Sequence, residues 1–124
     1  MGERRKFIRA GAPFILDVVC PSENRAFEAY GWSLGRGGLG FYADAPLDVD
    51  SDVTLRVMFI GSKEEKPPEI VEATVRWIKP ISNGYAIGTE FKELDEERHF
   101  VLLAYLDHAE RTLRELSRNP FPDH

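Results

Sequence analysis

The sequence predicts a mainly β domain, a six-stranded antiparallel β-barrel followed by one C-terminal α-helix. Three observations lead to this fold class. Apolar and polar residues alternate in six short segments between residues 13 and 91, as in strands that bury one face. Turn residues separate these segments. After residue 94 the apolar residues recur at helical spacing, so a closed or nearly closed barrel with a helix packed alongside is expected.

The first three strands are expected at residues 13–19, 26–32 and 39–43. Phe14, Leu16 and Val18 form one face of the first strand, because they alternate with the residues between them. Pro21 and Asn24 belong to a turn that leads into the second strand. A glycine-rich stretch then separates the second strand from the third.

The next three strands are expected at residues 53–59, 71–77 and 85–91. The inward face of the fourth strand is expected to hold Val53, Leu55, Val57 and Phe59. In the fifth strand the apolar residues that alternate with polar ones are Val71, Ala73, Val75 and Trp77, the last a residue of the barrel wall. Asn83 and Gly84 predict a type I′ hairpin between the last two strands, since both central residues of that turn need positive φ.

The C-terminal helix is expected to begin near Asp95, a residue type that caps helix N-termini. Its apolar face is expected to hold Leu102, Leu106, Ala109, Leu113 and Leu116. Since this helix is longer than a small barrel needs, its last turns offer a contact surface for a partner or a second copy of the chain. His99 and His108 are expected at the surface and are nine residues apart, too far for a helical pair of metal ligands.

The length of 124 residues indicates one domain with a single core. We divide it into a flexible basic arm (residues 1–12), the barrel with its helix (residues 13–118) and a tail (residues 119–124). The single cysteine, Cys20, cannot form an internal disulfide, which favours a reducing compartment. No signal-like segment or long apolar stretch is present, so a cytoplasmic protein without membrane insertion is expected.

The charge distribution indicates one local anionic partner. The net charge of −5 argues against general DNA or RNA binding. Against this acidic background, the N-terminal arm concentrates Arg4, Arg5, Lys6 and Arg9 within a few residues. A solubilising arm is the alternative interpretation of this cluster.

Residues 30–47 contain three overlapping motifs. Gly31 to Gly35 spell the G-x-S-x-G of a hydrolase nucleophile elbow, and Gly35 to Gly40 spell the G-x-G-x-x-G of a dinucleotide-binding turn. Both motifs require a helix directly after the turn. Here the turn leads into a strand at Leu39, so we interpret both as coincidences of a glycine-rich run.

The third motif belongs to a pattern that covers most of the chain. R-x-x-x-R at Arg5–Arg9 precedes the first strand, and a degenerate D-x-S-x-x-G around Ser33 is followed by "GLGF". Val75-Arg76-Trp77, "NGYAIGTEF" and the helix complete the order. From Glu3 to about Arg111 the chain closely resembles the PilZ domain family. This resemblance implies a six-stranded antiparallel split barrel with a C-terminal helix.

The resemblance also implies a ligand, the bacterial second messenger cyclic di-GMP. Arg5 and Arg9 would grip it, because a guanidinium can reach guanine O6 and N7 together or stack on the base. Arg4 and Lys6 would add long-range attraction. The arm would become ordered over the ligand, and a partner protein could detect that change.

The second motif departs from the family pattern, and two registers remain open. In one register, Ser33 takes the family's Asp/Asn position, Gly35 its Ser and Gly38 its Gly. In the other, Ser33 keeps the Ser position, while Gly31 replaces the acid and Arg36 the glycine. Neither register contains the carboxylate or amide acceptor. A charge-assisted hydrogen bond contributes about 1.5–3 kcal/mol, so its loss weakens binding roughly ten- to hundred-fold.

Three more residues near this motif are candidates for the ligand site. Arg36 can compensate for the missing acceptor by binding a phosphate or a guanine. Gly37 and Trp32 lie beside the motif and complete the candidate set.

Two functions agree with these residues. The first is a non-enzymatic cyclic di-GMP receptor that signals to an unidentified downstream protein in trans. The alternative is a PilZ-like adaptor that binds a motility, secretion or transcription partner without nucleotide. An enzyme is disfavoured, because the sequence shows no paired acid and base, no activated nucleophile and no cluster of metal ligands. No cofactor or metal is expected.

Overall fold

The computed structural model describes residues 14–59 and 67–118. The expected arm and tail lie outside these residues. The regular elements, in chain order, are β1 (Phe14–Cys20), a short 3₁₀ helix (Pro21–Glu23), β2 (Arg25–Leu34), β3 (Leu39–Ala43), β4 (Asp52–Phe59), β5 (Glu69–Ile81), β6 (Gly84–Phe91) and α1 (Phe100–Arg118). All six expected strands are present, and β5 is longer at both ends than the alternation predicted.

The six strands form a closed barrel in the order β1-β2-β3-β6-β5-β4, and β4 pairs with β1 to complete the ring. Every neighbouring pair is antiparallel. The predicted fold class, a six-stranded antiparallel barrel with a C-terminal helix, is therefore confirmed.

The barrel interior is filled by the inward face of each strand. Its largest fully buried side chains include Phe14, Phe41, Leu55 and Ile87. The α1 helix adds Leu102 and Leu106 to the same cluster. Burying the apolar face of α1 against the barrel stabilises a helix whose propensity alone would be marginal.

A carboxylate from the barrel caps the first turn of α1. Glu69, the first residue of β5, accepts hydrogen bonds from the backbone N–H groups of Val101 and Leu102 at 2.6 and 2.9 Å. These N–H groups have no partner within the helix, and the positive end of the helix dipole favours an anion there. The cap therefore ties α1 to the strand on which the helix packs.

Asp95 caps the turn before the helix rather than the helix itself. Its carboxylate accepts the backbone N–H groups of Glu97 and Arg98 at 2.8 and 3.0 Å, and α1 begins only at Phe100. These hydrogen bonds, those from Arg98 and Glu97 in that order, lower the pKa of the Asp95 carboxyl below its usual value. The predicted N-cap is thus placed one turn early.

His99 is buried, so its predicted surface position is wrong. Its side chain is 2% exposed. Nδ1 accepts the backbone N–H of Asp95 at 2.8 Å, and Nε2 lies 2.8 Å from the carbonyl oxygen of Ile70. Because Nδ1 is an acceptor, the ring is the neutral form with its proton on Nε2, which donates to Ile70. The histidine thus links the turn before α1 to β5.

The β5–β6 hairpin forms at the predicted place but with a different turn. Ile81 pairs with Gly84, so Ser82 and Asn83 are the central residues. Asn83 is not among the residues with positive φ, whereas Gly84 has φ of 147°. The predicted type I′ turn is therefore wrong. Glycine is required at position 84, where a Cβ would also overlap the carbonyl oxygen of Ala43.

Replacing His99 is expected to destabilise the fold. His99→Ala removes the buried ring that partners the half-buried N–H of Asp95 and the carbonyl of Ile70, so the free energy of unfolding should fall by about 2–3 kcal/mol. Urea unfolding measures this change. His108→Ala removes an exposed histidine of α1 and should stay within about 0.5 kcal/mol of the natural protein. Equal losses in the two variants would contradict the bridging role of His99.

Candidate ligand site

The glycine-rich loop between β2 and β3 is held by two backbone hydrogen bonds. The Gly35 N–H donates to the carbonyl oxygen of Gly38 at 2.9 Å, which closes the loop on itself. The Phe91 N–H donates to the carbonyl oxygen of Gly37 at 2.8 Å. The second bond attaches the loop to the end of β6, so the loop has a defined position on the barrel.

The glycines of this loop have different roles. A Cβ on Gly38 would overlap the backbone carbonyl of Thr89, so no other residue fits there without a shift of β6. A Cβ on Gly37 would have no neighbour within 4 Å, and one on Gly35 would meet only the carbonyl oxygen of Gly38 at 3.9 Å. Gly38 is therefore required by packing, whereas Gly35 and Gly37 leave an open surface that a ligand can approach.

Two tryptophans lie over two glycines on the outer face of the barrel. Gly40 of β3 pairs directly with Gly88 of β6. A Cβ on Gly40 would be 2.5 Å from the Trp32 ring, and one on Gly88 would overlap the Trp77 ring. The two indoles contact each other, with their ring centroids 5.9 Å apart. An aromatic side chain that covers a strand glycine shields the exposed backbone and stabilises the sheet.

A β-bulge accompanies each tryptophan. In β2 the pairing steps from Gly31 to Ser33, which leaves Trp32 as the extra residue. In β5 it steps from Val75 to Trp77. The alternation in the sequence placed Trp77 on the same face as Val75, and this prediction is wrong. The extra residue turns Trp77 outward, where it is 43% exposed.

Tyr42 extends the two tryptophans into an aromatic row, which we define as Tyr42, Trp32 and Trp77. Its ring centroid is 5.9 Å from that of Trp32, and its side chain is 42% exposed. The pattern of residues in the sequence did not predict this aromatic row. A signal was present, since glycines inside predicted strands indicate a bulge or a close approach.

Ser33 faces outward beside the aromatic row, because it pairs with Gly40. Its hydroxyl makes no hydrogen bond within the part of the chain that the structure describes. Gly31 faces the interior instead, where a Cβ would overlap the Phe14 ring. An acid at position 31 would therefore enter the core, whereas a residue at position 33 lies on the outer surface. This geometry favours the register in which Ser33 takes the acid position.

Arg36, at the tip of the loop, is paired with the C-terminal helix. Its Nε and Nη2 atoms donate to the two carboxylate oxygens of Glu110, both at 3.1 Å, and Nη2 lies 3.8 Å from Asp107. The hydrogen bond with Glu110, followed by its negative charge, raises the pKa of the guanidinium above its usual value. All three side chains are about half exposed, so this pair stabilises the fold only weakly.

Six of the nine candidate site residues lie close together in the structure. Residues 32, 33 and 35–38 form one continuous surface on the end of β2 and its loop. Arg4, Arg5 and Arg9 lie outside the described residues. The chain enters β1 close to this surface, because the Phe14 ring lies against Gly31 and Ile15 pairs with Tyr30.

A family model, the PilZ domain, matches residues 3–108. The chain belongs to the PilZ domain family. The match includes R-x-x-x-R, the glycine loop, the barrel strands and the first half of α1. No curated protein matches the sequence.

Two solved structures share this PilZ fold. The Bacillus subtilis inhibitor of motility MotI/DgrA is similar with a TM-score of 0.66 and 15% identity, over 85% of this chain and 49% of that one. The chain thus spans about half the length of the Bacillus protein. The PilZ domain of YcgR from Escherichia coli, solved with cyclic di-GMP, has a TM-score of 0.57 and 14% identity, over 88% of this chain and 93% of that one.

Residues 14–59 and 67–118 contain no group of three or more His, Cys, Asp or Glu side chains that could hold a metal ion. None of their helices is long and apolar enough to cross a bilayer.

The packing and surface roles of the loop glycines can be separated by substitution. Gly38→Ala should lower the free energy of unfolding by about 1–3 kcal/mol, because the added methyl group must displace the Thr89 carbonyl. Gly37→Ala should change it by less than about 0.5 kcal/mol, since its Cβ faces open space. Urea unfolding compares the two variants. A Gly38→Ala protein as stable as Gly37→Ala would refute the packing assignment.

Proposed function

We propose that this PilZ domain is a non-enzymatic cytoplasmic receptor for cyclic di-GMP and signals to a partner protein in trans. The observation that carries the proposal is that the family match begins at residue 3. It therefore includes both R-x-x-x-R and the glycine loop. Cyclic di-GMP is also the ligand in the similar YcgR PilZ domain.

The geometry allows the arm to reach the glycine loop. Arg9 precedes Phe14 by five residues, which span at most about 17 Å in extended form. Gly35 follows Gly31, the neighbour of the Phe14 ring, by four residues, a distance of about 14 Å along a strand. Arg9 and, with a longer reach, Arg5 can therefore bind a ligand that rests on the loop.

The arginines and the loop supply complementary contacts. Arg5 and Arg9 donate to guanine O6 and N7 and to the phosphates, while Arg4 adds positive charge. The Ser33 hydroxyl accepts a guanine N–H, and Gly35, Gly37 and Gly38 form the floor. The arm becomes ordered over the ligand, and the surface thus created is what the partner recognises.

The aromatic row provides an apolar surface beside the floor. Trp32 lies next to Ser33 in sequence and on the same face, and Trp77 is the more exposed of the two indoles. A purine base can stack on such a surface, and stacking contributes about 1–3 kcal/mol per base. This contribution offsets part of what is lost with the missing carboxylate, so an affinity on the order of tens of micromolar is expected.

Calorimetric titration of the full chain with cyclic di-GMP tests the proposal. Binding heat is expected with the natural protein and should disappear in Arg9→Ala. Arg56→Ala is the matched control, because this exposed arginine pairs with Asp17 across β4 and β1, and it should bind as the natural protein does. Absence of heat at about 500 µM ligand would overturn the receptor proposal.

The pair between Arg36 and Glu110 is expected to compete with the ligand. An exposed ion pair contributes about 0.2–1 kcal/mol, so Glu110→Gln, which releases Arg36 toward a phosphate, should strengthen binding by up to about five-fold. Glu115→Gln, on the same helix, should leave the affinity unchanged, and Arg36→Ala should weaken it. If Arg36→Ala and Glu110→Gln both bind like the natural protein, Arg36 is not part of the site.

One observation favours the adaptor as a second candidate. The loop contributes no carboxylate, and its arginine is already paired with Glu110. An adaptor would bind its partner equally well with and without cyclic di-GMP and after loss of Arg5 and Arg9. A pull-down with these variants distinguishes the two functions.

A further inference from the structure

The first half of β2 has an open edge. β2 contains ten residues, but β3 pairs only with Tyr30–Leu34. Arg25–Ala29 pairs with β1 on one side, and within residues 14–59 and 67–118 no strand pairs with its other side. Alternate residues of a strand direct their N–H and C=O groups toward each side, so this edge presents backbone groups that can bind a further strand.

This edge of β2 has no neighbouring strand because β3 ends at Ala43, and the residues after Ala43 do not pair with β2. The Arg25 guanidinium donates to the carbonyl oxygen of Pro46 at 2.7 Å and lies 5.1 Å from the Phe27 ring centroid, which fixes the start of the β3–β4 connection. A depression of about 740 Å³ remains, walled by β2, the end of β3 and the β5–β6 turn. We call it the β2 groove.

The β2 groove is lined by exposed apolar side chains. Tyr30, Tyr42 and Ile81 are 65%, 42% and 40% exposed, and all three border the groove. Single exposed apolar residues are ordinary, but a cluster beside a depression is typical of an interaction site. An extended segment at the edge would direct every second side chain onto this cluster.

The charge of the groove favours a basic partner. Glu28 and Asp44 lie in its wall, and neither forms an ion pair within the described part of the chain. Arg25, which also lines the groove, is engaged with Pro46 and Phe27. The two carboxylates disfavour a phosphate-bearing ligand, so this groove differs in chemistry from the candidate nucleotide site.

We propose that the β2 groove binds an extended segment of a partner protein that adds a strand to Arg25–Ala29. The segment pairs with the open edge, places apolar side chains on Tyr30, Tyr42 and Ile81, and directs a lysine or arginine toward Glu28 and Asp44. Backbone pairing supplies affinity and the side-chain contacts supply specificity. The proposal does not depend on nucleotide binding.

A second copy of the chain is the less suitable occupant. In a two-fold symmetric pair each groove faces the same groove of its partner. Glu28 and Asp44 of both copies would then approach one another, and like charges across an interface oppose association. A basic segment from a different protein meets no such repulsion.

The test uses the full ¹⁵N-labelled chain and a synthetic nine-residue peptide, acetylated and amidated, in which valine and lysine take turns at every second position with threonine between them, so that one face of the extended peptide carries both valine and lysine. The amides of residues 26–30, 42–44 and 81–83 should shift on titration, and amide exchange should slow at those of residues 26–29 whose N–H groups face the open edge. Two control peptides should leave these amides unchanged. One has its central valines replaced by proline, which cannot pair as a strand, and the other carries glutamate in place of each lysine.

Variants of exposed residues test the two kinds of contact. Glu28→Lys combined with Asp44→Lys should weaken peptide binding at least about five-fold, because like charges then face each other. Glu93→Lys combined with Glu96→Lys, outside the groove, is the charge-matched control. Ile81→Thr should also weaken binding, whereas Val19→Thr, a change of similar exposure on β1, should not.

Several results would overturn the proposal. Equal binding of the proline or the glutamate peptide would exclude strand addition or charge complementarity. Shifts confined to the glycine loop would place the peptide at the other site. Concentration-dependent dimerisation through residues 26–29 would identify a second copy as the occupant. Strong protection of the edge-facing amides of residues 26–29 before any peptide is added would mean that the chain itself fills the groove.

Discussion

The packing of Trp32 on Gly40 and of Trp77 on Gly88 is the constraint on which the outer face of the barrel depends. Because Gly40 and Gly88 are neighbours on β3 and β6, the two indoles lie side by side. Each tryptophan needs a glycine on the neighbouring strand, because a Cβ there would overlap its indole ring. Each also needs a β-bulge in its own strand, which turns the side chain outward. The same bulge in β2 directs Ser33 to the surface, so the candidate ligand surface follows from this packing.

The attachment of α1 differs along its length. At its start, two buried leucines, the Glu69 cap and the His99 bridge join it to the barrel. Farther along, half-exposed ion pairs of Arg36 with Glu110 and Asp107 join α1 to the glycine loop. Buried apolar contacts contribute far more than exposed ion pairs. The start of α1 is therefore part of the core, while its later turns can separate from the loop at little cost.

The sequence predicted the strands and the helix because burial of one face imposes a regular pattern of apolar residues. The prediction from sequence was wrong where a residue departs from that pattern. The bulge before Trp77 reverses the inward face, and the buried His99 is stabilised by two backbone groups that no pattern of side chains reveals. The candidate site was predicted through R-x-x-x-R and the glycine loop. The aromatic row and the ion pair between Arg36 and Glu110 were not predicted, since both depend on contacts between residues distant in sequence.

Tyr42 belongs to two surfaces at once. Its ring contacts Trp32 beside the glycine loop, and the same side chain borders the β2 groove on the other flank. A rotation of this one ring about its Cα–Cβ bond would alter the shape of both surfaces together. The two surfaces thus share one phenol, and what contacts that ring from one flank changes what is available on the other.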